Sequence, residues 1–93
     1  MSLSQAECDA IVRIAASHGA HHVRVFGSEA RGQARPESDL DLLVVLDPDR
    51  SLLDLIAIKQ DIEDLLARDV DVVTETALSV YIREDVLKEA VPL

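Results

Sequence analysis

What the chain is short of narrows its chemistry. There is one cysteine, Cys8, so neither an internal disulfide nor a cysteine-rich zinc site can form, and a reduced, cytoplasmic setting is expected. One Phe, one Tyr and no Trp leave the core to Val, Leu, Ile and Ala. Basic residues are few, 9 against 18 acidic ones, and the net charge of −9 argues against direct nucleic-acid binding, because phosphate backbones are held by clustered Lys and Arg. A basic partner protein, a metal or a metal-chelated nucleotide fits that charge better. No apolar run approaches the roughly 20 residues that span a bilayer, so no membrane association is expected. Met1 to Cys8 is polar, without a basic leader or an apolar core, and does not read as a secretion signal.

What is present suits one small domain, residues 1–93, with 48% hydrophobic content to build an aliphatic core. Leu3 to His18 reads as an amphipathic helix: Ser4 and Glu7 form a capping box, Leu3 can staple onto Cys8, and Ile11, Ile14, Ala15 and His18 share a face. Gly19 ends it. His21 to Phe26 then reads as a strand with Val23 and Val25 on one side. Ser28 is placed to cap a short helix, Glu29 to Gln33, which Pro36 ends while biasing Arg35 toward an extended conformation. Asp39 to Leu46 is a second strand, closed by Asp47-Pro48-Asp49. Ser51 to Arg68 is the longest helix, with Leu52, Leu55, Ile56, Ile62, Leu65 and Leu66 as its buried stripe and Lys59, Asp61 and Asp64 mostly outside it. Val70 to Val73 is a third strand, and Thr76 to Leu93 is helical in two pieces, around Leu78 to Ile82 and Asp85 to Ala90. This order predicts an α/β (α+β) two-layer domain, a small mixed three-stranded sheet flanked by helices.

The chemistry concentrates between Phe26 and Asp41. Residues i and i+2 of a strand share a face about 6.5–7 Å apart, so Asp39 and Asp41 point the same way. Leu40, Leu42, Val44 and Leu46 on the opposite face are core. On the aspartates' own face the next residues are Leu43 and Val45, so acid gives way to hydrocarbon and the carboxylates stand at the rim of a covered surface. Asp71 repeats this in the third strand, between Val70 and Val72. Aspartate is disfavoured in strands, and three there without interleaved Lys or Arg break a local rule in the way functional sites do. The plainer readings are that Asp39 caps a strand start and Asp71 follows a turn.

Clustered carboxylates repel, and hard divalent cations remove the repulsion while leaving positions for substrate phosphates; magnesium is the natural candidate. Gly27 and Ser28 precede the carboxylates at a predicted helix N-terminus, where unpaired N–H groups, the Ser28 hydroxyl and the close approach allowed by Gly27 suit a phosphate. A Gly-Ser pair alone is more often only a cap. The combined pattern G-S-x10-D-x-D arises by chance in roughly one chain of this size per thousand.

At these residues the sequence resembles the minimal nucleotidyltransferases of the DNA-polymerase-beta-like superfamily, specifically the MNT-domain antitoxins paired with HEPN-domain toxins. The resemblance runs through Gly27-Ser28, Ala30-Arg31-Gly32, Ser38 to Val44, Val70 to Val73 and the tail Ile82 to Ala90. It implies a polymerase-beta-like nucleotidyltransferase fold and transfer of a nucleoside monophosphate from an NTP with release of pyrophosphate. In the antitoxin branch it implies AMP transfer from ATP to a tyrosine of the cognate HEPN ribonuclease, which silences it. Carried over by motif, Gly27 and Ser28 hold the triphosphate, Asp39 and Asp41 hold two magnesium ions, and Asp71 ligates the metal beside the attacking oxygen and can act as base.

Glu29 departs from the pattern, since a carboxylate following Ser28 would repel a phosphate tail. Arg31 offsets it by contacting phosphate or else pairs with Glu37, and Arg35 is ambiguous in the same way. His18, His21 and His22 read as surface or partly buried, and Tyr81 as a packing residue. The chain lacks the additional domains with which larger relatives hold base and acceptor, so those contacts are expected from the partner. Two other readings stand beside this one: a non-catalytic antitoxin that blocks the toxin by binding it, and a nucleotidyltransferase subunit acting on a small molecule such as an aminoglycoside.

Overall fold

Helix α1, Gln5–Ser17, begins where its capping box dictates: the Ser4 hydroxyl accepts from the Glu7 N–H at 3.1 Å, and the Glu7 carboxylate accepts from the Ser4 N–H at 2.9 Å. The computed structural model describes residues 2–35 and 38–93. After α1 come strand β1, Ala20–Phe26, strand β2, Leu40–Leu46, helix α2, Leu52–Leu66, strand β3, Val70–Thr74, a 3-10 turn at Glu75–Ala77, helix α3, Arg83–Glu89, and strand β4, Val91–Pro92. Among the described residues no helix is long and apolar enough to cross a membrane.

The sheet has the order β3-β2-β1-β4. Strands β1 and β2 are antiparallel, as are β1 and β4, while β2 and β3 are parallel and joined through α2. The mixed α/β architecture is the expected one, with four strands rather than three. Its extra strand, β4, is two residues long and contains Pro92, so no periodicity could announce it. It lies where the sequence predicts the end of a helix. Residues 78–82 are not helical either, and only the second predicted C-terminal piece forms, as α3.

Both long helices lie over one face of the sheet. Ile11 and Ala15 of α1, Val23 and Val25 of β1, Leu40, Leu42 and Val44 of β2, Ile58 and Ile62 of α2 and Val70 of β3 form one buried cluster. Each fully buried Leu or Ile there contributes about 1.5–3 kcal/mol relative to exposure. The stripe of α2 is rotated from the expected one. Ile58 and Ile62 are buried and Leu55 and Leu66 partly so, whereas Leu52, Ile56 and Leu65 face outward. With apolar residues all round the helix, spacing alone could not fix its phase, and the sheet decided it.

Strand β1 contains a bulge. Pairing runs His21 with Val45 and then Arg24 with Leu43, so β1 holds one residue more than β2, and His22 takes a left-handed φ of 51°. The bulge lets Ala20 and Val23 both face the core while His21 and His22 are exposed. Beyond it Arg24 pairs with Leu43 and Phe26 with Asp41, which puts them on the face away from α1 and α2.

Edge strand β3 is fastened by α2. Lys59 Nζ donates to the Val70 carbonyl at 2.7 Å and Glu63 accepts from the Val70 N–H at 3.0 Å, satisfying the outward polar groups of the residue before Asp71.

Candidate functional site

Asp41 and Asp71 are direct neighbours in register on the parallel strands β2 and β3, which are about 4.8 Å apart. Their side chains share the sheet face opposite the helices. Asp41 is half-buried and Asp71 exposed. Asp39 does not lie in the strand, which begins at Leu40, but in the exposed residue before it. Its charge still reaches Asp41. Burial, then the charges of Asp71 and Asp39, push the Asp41 carboxyl above its ordinary range, and Arg31 works the other way. Leu43, further along the same face, is fully buried, which places the acids at the rim of a covered surface as expected.

The Gly27-Ser28 turn meets this rim. Asp41 pairs with Phe26, and Gly27 follows directly with φ 70°; a Cβ there would be strained and would push Asp41 Oδ2 aside, so glycine is favoured. The predicted helix Glu29 to Gln33 is a turn instead, closed by Arg31 N–H to Gly27 O at 3.2 Å, Gly32 N–H to Glu29 O at 3.2 Å and Gln33 N–H to Ser28 O at 2.8 Å. So short a segment cannot offset helix nucleation, and Gly32, at φ 71°, leads the chain out of it. Among the described residues no backbone carbonyl accepts from the N–H groups of Ser28, Glu29 or Ala30.

Glu29 does not enter the cradle. It is 1% exposed and turned inward, accepting from the Ser2 N–H at 2.6 Å, the Ser2 hydroxyl at 2.7 Å and Arg68 Nη1 at 3.1 Å. Burial alone would raise its carboxyl, yet these donors outweigh burial and hold it below the ordinary carboxylate range. Arg68 also donates from Nε to the Ser38 carbonyl at 3.2 Å. One guanidinium thus ties the turn after Gly27 to the peptide leading into Asp39. Sequence reasoning missed it, since an arginine at a helix end carries no mark of so distant a partner.

Glu89, at the end of α3, was missed for the same reason. Its carboxylate accepts from the Gly27 N–H at 2.8 Å and, through both oxygens, from Arg31 Nη1 at 3.2 Å. Arg31 therefore has an acidic partner beside the turn, while Glu37, its expected alternative, and Pro36 lie outside the described residues. Arg35 is exposed and donates its N–H to the Ser38 hydroxyl at 3.0 Å. His18 pairs with Asp61 and His21 with Asp47, away from the acids. Tyr81, expected to pack, is 91% exposed, because the segment before α3 is a turn standing off the core.

Among the described residues no three of His, Cys, Asp and Glu are gathered closely enough to enclose a metal ion. Asp39, Asp41 and Asp71 form an open set of hard oxygen donors, which suits magnesium, a cation that keeps waters and substrate oxygens in its shell. A cavity of about 490 Å³ lies toward the other end of β2, lined by Val44, Leu46, Leu55 and Thr74, and takes in none of these acids.

Residues 8–93 match the family described as Nucleotidyltransferase domain. Over 73 residues the chain is 40% identical to protein adenylyltransferase MntA of Thermococcus cleftensis, a match covering 78% of this chain and 74% of that protein. A solved structure described as a candidate minimal nucleotidyltransferase superimposes with a TM-score of 0.87 at 50% identity, covering 96% of this chain and 91% of that one. The fold is also shared, at a TM-score of 0.73 and 17% identity, with a chain from a complex of a tri-AMPylated Shewanella oneidensis HEPN toxin with its MNT antitoxin; 97% of this chain and 71% of that one are covered.

Proposed function

We propose that this chain, which belongs to the nucleotidyltransferase domain family, transfers AMP from ATP to a tyrosine hydroxyl of a cognate HEPN-domain ribonuclease and so acts in the cytoplasm as its antitoxin. The observation that carries the reading is the in-register pairing of Asp41 with Asp71 at the edge of the Gly27-Ser28 turn. The relative from Thermococcus cleftensis is named a protein adenylyltransferase, and the toxin complex that shares the fold contains an AMP-modified partner.

In this reading the N–H groups of Ser28, Glu29 and Ala30 and the Ser28 hydroxyl donate to the triphosphate oxygens, and Arg31 adds positive charge beside them. Asp39, Asp41 and Asp71 would hold two magnesium ions, which when bound supply charge stabilisation to the attacking and leaving oxygens. Asp71, exposed where its neighbour Asp41 is half-buried, takes the proton of the acceptor hydroxyl. The acceptor oxygen bonds to the α-phosphorus, the bond from that phosphorus to the bridging oxygen breaks, and pyrophosphate leaves.

Purified chain incubated with magnesium, ATP and the cognate HEPN protein should add AMP units to the intact mass of that protein, and the chain carrying Asp39→Asn with Asp41→Asn should add none. An unmodified partner in the first reaction overturns the reading. Antitoxin activity retained by the double variant would show that binding alone neutralises the toxin.

A further inference from the structure

We infer that Glu89 is a positioning residue for the triphosphate: it sets the Gly27 turn and aims Arg31 before the nucleotide arrives, an inference that rests on the reading of that turn as the phosphate site. Gly27 and Glu89 are 62 residues apart, and the carboxylate joins them by a charge-assisted hydrogen bond of 2.8 Å to the Gly27 N–H. Both of its oxygens also engage Arg31 at 3.2 Å. Arg31 is half exposed, and a free arginine side chain there would lose up to about 2 kcal/mol of rotamer freedom on being fixed by a ligand. The clasp imposes that order before binding.

Two further features favour a role in nucleotide binding over one in folding. Glu89 adds negative charge near Asp41, an arrangement that opposes folding electrostatically and is of the kind found at functional sites. It also sits where α3 passes into β4, whose Val91 pairs with Val25 two residues before Gly27. The same short segment thus braces the strand leading into the turn and, through Glu89, the first N–H of the turn. Among the described residues no backbone carbonyl takes the N–H groups of Ser28, Glu29 and Ala30, which leaves them for phosphate.

The test is the affinity of a non-hydrolysable ATP analogue with magnesium, measured by calorimetry beside AMP, which has no β- or γ-phosphate. Glu89→Ala should weaken the triphosphate about tenfold, the loss of roughly one charge-assisted hydrogen bond, and leave AMP unchanged. Glu89→Gln should regain most of the loss, because the amide oxygen still accepts from the Gly27 N–H. In the transfer assay Glu89→Ala should raise KM for ATP more than it lowers kcat. Equal weakening of both nucleotides, no change, or tighter triphosphate binding each overturns the inference. If Glu89→Ala does not fold, Glu89→Asp decides: its shorter reach predicts the same selective loss, and wild-type affinities overturn the role. Ser28→Ala separates the two levels. Selective triphosphate loss there, without loss in Glu89→Ala, removes only the role of Glu89, whereas unchanged affinity in Ser28→Ala removes the phosphate site itself.

Discussion

Arg68 holds Glu29 and the Ser38 carbonyl with one guanidinium, at 3.1 Å from Nη1 and 3.2 Å from Nε. The turn after Gly27 and the approach to Asp39 are thereby fixed to each other by two side chains that lie beneath them. Arg68→Ala should cost about 3 kcal/mol of stability, because it leaves the Glu29 charge buried without its cation. Glu29→Ala should cost a similar amount, and the double variant less than the sum of the two. Urea denaturation of the four proteins checks this, and additive losses would show that the pair does not act as a unit.

The same group sets a limit on acid stability. Glu29 titrates below its ordinary value when folded, so its contribution is fully present above the unfolded value near 4.5 and is lost as pH falls through the lower folded value. Midpoints of denaturation measured downward from pH 6 should fall more steeply in the wild type than in Glu29→Gln. Parallel curves would contradict the assignment.

Asp41 behaves in the opposite sense. Its carboxyl is raised in the folded state, so ionised Asp41 costs stability at neutral pH, and the cost is relieved as pH falls through the folded value. Asp41→Asn should therefore raise Tm at pH 7 while abolishing AMP transfer. A lower Tm would mean that the side chain has a structural task at that position.

Gly27→Ala tests the contact between turn and acid. The added methyl meets Asp41 Oδ2 and the backbone must hold φ 70°, so the turn should shift and transfer activity should fall by more than about tenfold with the fold retained. Circular dichroism and the transfer assay together check this.

At the end of α2, Ala67 caps the helix in the left-handed conformation, with φ 54°. Ala67→Gly should raise stability by about 0.5–1 kcal/mol, measured by denaturant midpoint, with transfer unchanged. A loss of stability would show that the methyl group packs usefully there.

Local physics was legible in the chain and long-range pairing was not. The Ser4 and Glu7 capping box fixed the start of α1, alternation fixed β1, β2 and β3, and the rule against aspartate in strands drew attention to Asp41 and Asp71. The phase of α2 could not be read, because Ile56 and Leu65 are as apolar as Ile58 and Ile62. Glu29, Arg68 and Glu89 were opaque for a different reason: their partners lie 27, 39 and 62 residues away, and nothing in a charge's neighbourhood along the chain names so distant a partner. Glu29 is the instructive case. Its position beside Ser28 suggested repulsion of phosphate, and burial against Ser2 and Arg68 turned it into the anchor of the turn.

The clasp between Glu89 and Gly27 has a consequence in time. During synthesis Gly27 and Asp41 emerge early, Asp71 can pair with Asp41 only after α2 has formed and docked, and Glu89 emerges later still. A nascent chain therefore has its first acids long before the carboxylate that braces Gly27, and the brace is complete only when α3 and β4 are in place at the edge of β1.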